Sequence, residues 1–150
     1  MGFPLQEIQA AFDHYREAAA EAGRSGDWEH FVDCFTTDVD YVEHHYGRFK
    51  GRDQVRDWVV PAMTTFPVDH MKSFPWNWYV IDAERGWVLG EVANVMDDPG
   101  DGQVYQAANW TRLVYAGEGL FGEEEDVYNP AEFAEMIRGW LAAWKAHHPA

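Results

Sequence analysis

Two adjacent histidines, His44 and His45, end the run Val39-Asp-Tyr-Val-Glu-His-His-Tyr46. The run is rich in β-branched and aromatic residues and reads as a strand. Successive side chains on a strand point to opposite faces, so one imidazole turns inward and the other outward, and the two cannot share a metal ion. A neutral imidazole accepts a proton near neutral pH, which makes the inward one a candidate general base. Asp40 could share a strand face with His44 and raise its basicity, although it reads more simply as a solvated acid at the strand start. Tyr15 lies on an apolar helical stripe and is a candidate proton donor, although a buried phenol also serves structure. Asn109 could polarise a carbonyl if its strand turns it inward. Trp58, Trp76, Trp78, Asn109 and Thr111 are the candidate substrate contacts. Trp76 and Trp78 share a face and could stack on a flat ligand, or equally pack a core or a subunit surface.

Other groups read as structure. Gly117-Glu-Gly-Leu-Phe-Gly122 matches a dinucleotide fingerprint literally, but no helix follows it to present an N-terminus to phosphate. Asp97, Asp98 and Asp101 sit around a Pro-Gly turn without calcium-loop spacing. Glu123-Glu-Glu-Asp126 alternates faces on a strand and reads as solvated charge. Ser25 and Ser73 lie at a turn and a strand start, which disfavours nucleophilic catalysis. Cys34, the one cysteine, reads as a packed thiol in a reducing compartment. Neither a metal nor a cofactor is expected.

The elements that must position these residues follow from periodicity. Leu5, Ile8, Phe12, Tyr15, Ala19 and Ala22 form one helical stripe, with Gly23 and the Ser25-Gly26 pair ending the helix. Asp27 caps a second short helix carrying Trp28, Phe31, Val32 and Phe35. A turn at residues 47–51 leads to a third helix with Val55, Trp58 and Val59, which Pro61 should kink or split. Strands follow at 76–81, 87–96, 103–115 and 120–128, joined by links short enough for an antiparallel meander. Asn129-Pro130 starts a closing helix with Phe133, Met136, Ile137, Trp140, Leu141 and Trp144 on its apolar face.

The chain of 150 residues suits one domain, residues 1–150, with a real core. Its net charge of −15, from 26 acidic and 11 basic residues, opposes binding to nucleic acid or anionic membranes. Met1-Gly2-Phe3-Pro4 runs directly into a helix and no apolar run is long enough to span a bilayer, so a cytoplasmic location is expected. Eight Trp exceed what such a core buries easily, so some should line a cavity or an interface.

This order of elements resembles the NTF2-like superfamily, and within it the SnoaL-like branch of polyketide cyclases and ketosteroid isomerases. The matching residues are Gly26-Asp27-Trp28, Phe35-Thr-Thr-Asp38, Glu43-His44-His45-Tyr46-Gly47, Gly51-Arg52, the Gly117-Glu-Gly119 hairpin and Asp126-Val-Tyr-Asn129. The resemblance implies an α+β fold in which a cone-shaped, curved antiparallel sheet wraps around the N-terminal helices and encloses an apolar pocket. In ketosteroid isomerases a carboxylate base ends the first strand, three residues before a glycine; counting back from Gly47 puts His44 there. Tyr15 lies near the place of their helical phenol donor. Their second donor, an acid, falls near Thr111, where no acid stands. The resemblance therefore implies a cofactor-free enzyme moving a proton on a small apolar molecule, by isomerisation, dehydration or cyclisation, with His44 as base, Tyr15 as donor and Asp40 in support. The alternatives are a non-catalytic binder of an apolar metabolite and an accessory domain. Consecutive apolar positions on several strands further imply a homodimer through the outer sheet face.

Overall fold

The computed structural model describes residues 2–150. The first helix, α1 (Leu5–Ser25), buries Ile8, Ala11, Phe12, Tyr15 and Ala22 on one side. It ends at Gly26, whose left-handed backbone (φ 78°) lets its N–H reach the Ala22 carbonyl, so the helix stops at the expected Ser25-Gly26 pair and runs through Gly23. Gly23 serves packing instead. A Cβ there would stand 2.2 Å from the Lys72 carbonyl oxygen, so glycine allows α1 to lie against the third strand.

The expected second helix is a single 3-10 turn, Phe31–Cys34. Asp27 caps this stretch by accepting from the Glu29 N–H, and the chain then goes straight into β1 (Phe35–Glu43). The expected turn at 47–51 contains β2 (Gly47–Lys50), antiparallel to β1. Helix α2 (Arg52–Thr64) is not split at Pro61. The carbonyl that loses its partner there belongs to Asp57, which is exposed and open to water.

The short β3 (Met71–Ser73) precedes the four expected strands: β4 (Trp76–Asp82), β5 (Trp87–Met96), β6 (Gln106–Gly117) and β7 (Leu120–Val127). The closing helix α3 (Pro130–His147) is capped by Asn129, which accepts from the Ala131 N–H. The strands form one curved seven-stranded sheet, ordered β2-β1-β7-β6-β5-β3, with β4 also pairing with β5. The meander is antiparallel as expected, whereas β1 joins β7 in parallel.

Two details of the sheet aim the site. Along β1, Val39, Tyr41 and Glu43 are buried, so odd positions face inward. In β7, Tyr115 opposes Phe121 while Val114 opposes Glu123, so Gly122 is an extra residue, a β-bulge. Phe121 and Glu124 consequently both face inward.

Candidate active site

The sheet, α1, α2 and the first half of α3 enclose a cavity of about 1250 Å³, larger than most small-molecule pockets. Aromatic side chains dominate its wall, including Tyr15, Trp28, Phe31, Trp58, Trp76 and Phe133. Gly90 makes room for one of them, because a Cβ there would meet the Trp76 ring at 2.8 Å. Exposed lining residues mark the mouth, among them His45, Tyr46 and Asp57, and Ala134 and Arg138 of α3. A shallower hollow of about 650 Å³ lies between α3 and the start of β6 beside Tyr105 and Met136; among the described residues it holds no buried titratable group.

Inward-facing polar side chains converge on one wall. Tyr15 donates to Glu124 Oε1 at 2.6 Å. The Tyr41 hydroxyl lies 2.5 Å from Glu124 Oε2 and 2.6 Å from Asp126 Oδ2. Thr111 is 2.6 Å from Asp126 Oδ1 and accepts from Asn109 Nδ2 at 2.7 Å, so its own hydroxyl donates to Asp126. Asn94 in turn donates to Asn109 Oδ1 at 2.7 Å.

Counting protons along this chain places one on the carboxyl pair. Tyr41 has a single hydroxyl hydrogen but contacts two carboxyl groups, so it donates to one while the other donates to it. Burial raises Glu124 well above the usual carboxylate range, and the nearby Asp126 charge adds to this. Burial also raises Asp126, against the hydrogen bonds from Thr111 and Tyr41. Two carboxyls this close in a poorly solvated site do not both ionise readily. Burial likewise pushes the phenols of Tyr15 and Tyr41 up, so both stay protonated donors.

A third carboxyl stands beside this pair. Glu43 is the register partner of Asp126 across the parallel strands and is buried. It accepts from Tyr128 at 2.6 Å and from the backbone N–H groups of His45 and Tyr46. Both carboxyls line the cavity; Glu124 is buried and Asp126 half-buried, so Asp126 is the more accessible member of the pair.

Several expected site residues lie on this wall and others do not. Tyr15, Trp58, Trp76, Asn109 and Thr111 line the cavity. His44 does not: it points outward, with Nε2 2.6 Å from Glu125 Oε2. The strand ends at Glu43, so counting back from Gly47 crosses a turn and lands on the wrong parity. Asp40 is outward as well, 3.7 Å from Arg48 and 3.9 Å from Lys50. Trp78 lies on the outer sheet face, edge-on to Trp110 at 5.4 Å. The expectation missed Tyr41, Glu43, Glu124, Asp126 and Tyr128. Among the described residues, no group of three or more His, Cys, Asp or Glu side chains is disposed to hold a metal ion.

No protein-family model matches the sequence, and no curated protein does. Solved structures do match in shape. An LEH-like epoxide hydrolase of M. tuberculosis aligns over 95% of this chain and 92% of its own, with a TM-score of 0.65 at 14% identity. An NTF2-like protein of unknown function from Burkholderia pseudomallei aligns over 85% and 97%, with a TM-score of 0.64 at 14% identity. A protein with a ketosteroid isomerase-like fold from Catenulispora acidiphila, in complex with trimethylamine, aligns over 83% and 92%, with a TM-score of 0.62 at 19% identity. The fold is thus NTF2-like, with isomerase-like and epoxide-hydrolase structures among its neighbours. No described helix is long and apolar enough to cross a membrane.

Proposed function

We propose that this chain is an enzyme that moves a proton on a small, largely apolar molecule, using its own side chains and no cofactor. The observation that supports it is the hydrogen-bonded Glu124–Tyr41–Asp126 unit on the wall of an aromatic cavity. A carboxyl pair sharing one proton offers an acid and a base side by side. Asp126 takes a proton from the substrate, and the pair returns a proton at a second position, with Tyr41 linking the two carboxyls. Tyr15 holds Glu124 in place. Reactant and product then carry the same number of protons, as isomerisation requires; dehydration and cyclisation use the same two transfers with loss of water or ring closure.

The homodimer belongs to the same proposal. Trp78, Val80, Trp110 and Val127 are 40 to 57% exposed on the outer sheet face, an apolar surface that a second copy would cover.

The deciding experiment is a turnover screen of enones, β-hydroxy carbonyls and epoxides, including amine-bearing members, with products read by mass spectrometry. Turnover that Asp126→Asn abolishes supports the enzyme. Saturable binding without turnover of any class moves the reading to a binding protein, which the aromatic wall would serve equally.

A further inference from the structure

The charge inside the cavity does not balance. Glu43, Glu124 and Asp126 face inward on adjacent strands, and among the described residues none of the three has a cationic partner. The guanidinium of Arg112, on the neighbouring strand, points outward to Glu123 and Glu125, at 3.6 and 3.3 Å. Arg52 spends its guanidinium on the Phe35 carbonyl. Arg138 of α3 also lines the cavity but is exposed, and it makes no hydrogen bond or ion pair with any of the three acids. One shared proton neutralises one of the three acids. Buried anionic charge is ordinarily paired, because leaving it unpaired in a poorly solvated site is costly.

The rest of the wall is suited to the missing counter-charge. Ring faces carry partial negative charge and attract cations, most strongly when the cation is desolvated. Trp58 stacks on Phe49 with centroids 4.6 Å apart and planes 14° from parallel, and its indole lines the cavity. Tyr41 meets the same indole edge-on at 5.4 Å, and its hydroxyl ends at Asp126. Tyr46 closes this group at the mouth, 5.8 Å from Trp58. Rings and carboxyls therefore surround one region, while Trp28, Phe31, Phe74 and Trp76 supply apolar wall beyond it.

We infer that the substrate of this cavity is a lipophilic cation, an ammonium or iminium on an apolar frame, seated with its charge among Trp58, Glu43 and Asp126. The inference rests on the proton-transfer reading for the word substrate; the ligand preference itself rests on the charge and the rings. An amine-derived cation also makes neighbouring C–H protons more acidic, which places the transferred proton next to the charge.

The test compares two ligands on the full chain at physiological salt, where attraction to the acidic surface is screened. One is a phenylpropyl trimethylammonium salt and the other its neutral tert-butyl isostere; binding is read by calorimetry and Trp fluorescence. The cation should bind roughly tenfold or more tighter than the isostere. Asp126→Asn and Glu43→Gln, each checked for folding by circular dichroism, should shrink that ratio. Equal or tighter binding of the isostere overturns the inference, as does failure of the cation to bind, or a ratio unchanged in both variants. None of these results touches the proton-transfer reading, which is judged by turnover. Undiminished turnover in Asp126→Asn would remove that reading and leave the ligand preference standing.

Discussion

Glu43 and Asp126 sit side by side across two parallel strands, each held by a different phenol: Tyr128 binds the first and Tyr41 the second. The pairing of β1 with β7 creates this neighbourhood, which a purely antiparallel order of the same strands would not. Asp126 therefore lies next to another acid, and the Glu43 charge contributes to its raised affinity for a proton.

Asp126→Asn and Glu124→Gln should each lower kcat by about a hundred- to ten-thousand-fold on a substrate found by the screen. His44→Ala should leave kcat within a fewfold of the parent, since its imidazole faces Glu125 on the outer side. Steady-state kinetics on the three variants checks the assignment, and a large loss in His44→Ala alone would reverse it.

The shared proton sets a pH dependence of stability. Both carboxyls are raised by burial, so the folded protein holds the proton more tightly than the unfolded chain. The resulting stabilisation is fully present below the ordinary carboxyl values of 4.5 and 3.8 and declines as pH rises through the raised folded values. Urea midpoints measured from acid to mildly alkaline pH should fall along this course for the pair, and Glu124→Gln should flatten the decline.

Tyr41→Phe removes the hydroxyl that bridges both acids and strands buried oxygen atoms. It should cost about 1–3 kcal/mol, more than Tyr15→Phe, which removes one hydrogen bond to Glu124. Chemical denaturation of both variants tests the order.

Trp140 anchors the closing helix. It is fully buried, donates from Nε1 to the Asp97 carbonyl at 2.8 Å and stacks on Trp144. Trp140→Ala should cost about 3–5 kcal/mol and loosen the α3 wall of the cavity. Thermal melts and ligand affinity report the two effects separately.

Trp110→Glu places a charge in the exposed outer patch and should convert the proposed dimer to a monomer with the fold intact. Light scattering with circular dichroism decides this; a parent protein already monomeric at micromolar concentration contradicts the dimer.

Much of the fold is legible in the residues. The Leu5–Ser25 stripe, the Asn129-Pro130 start and the strands from 76 onward carry clear periodicities. The parallel pairing of β1 with β7 is not legible, because sheet partners far apart in sequence leave no local signal. β2 is hidden for a similar reason: Gly47–Lys50 is too short and polar to show alternation. Trp58, Trp76 and Tyr15 are identifiable as large side chains on apolar faces. The acids are not, because facing depends on counting. Alternation counted from the apolar Phe121 would turn Glu123 and Glu125 inward, and the extra residue at Gly122 reverses that.

The bulge also decides where β7 can change length. Loss of Gly122 would restore regular alternation on both sides and keep Phe121, Glu124 and Asp126 facing the same way. Loss of Glu125 would make the two acids sequence neighbours, pointing one of them out of the molecule. Tolerance to deletion along this strand is therefore uneven: slack is concentrated at one glycine, and the spacing of the acids has none.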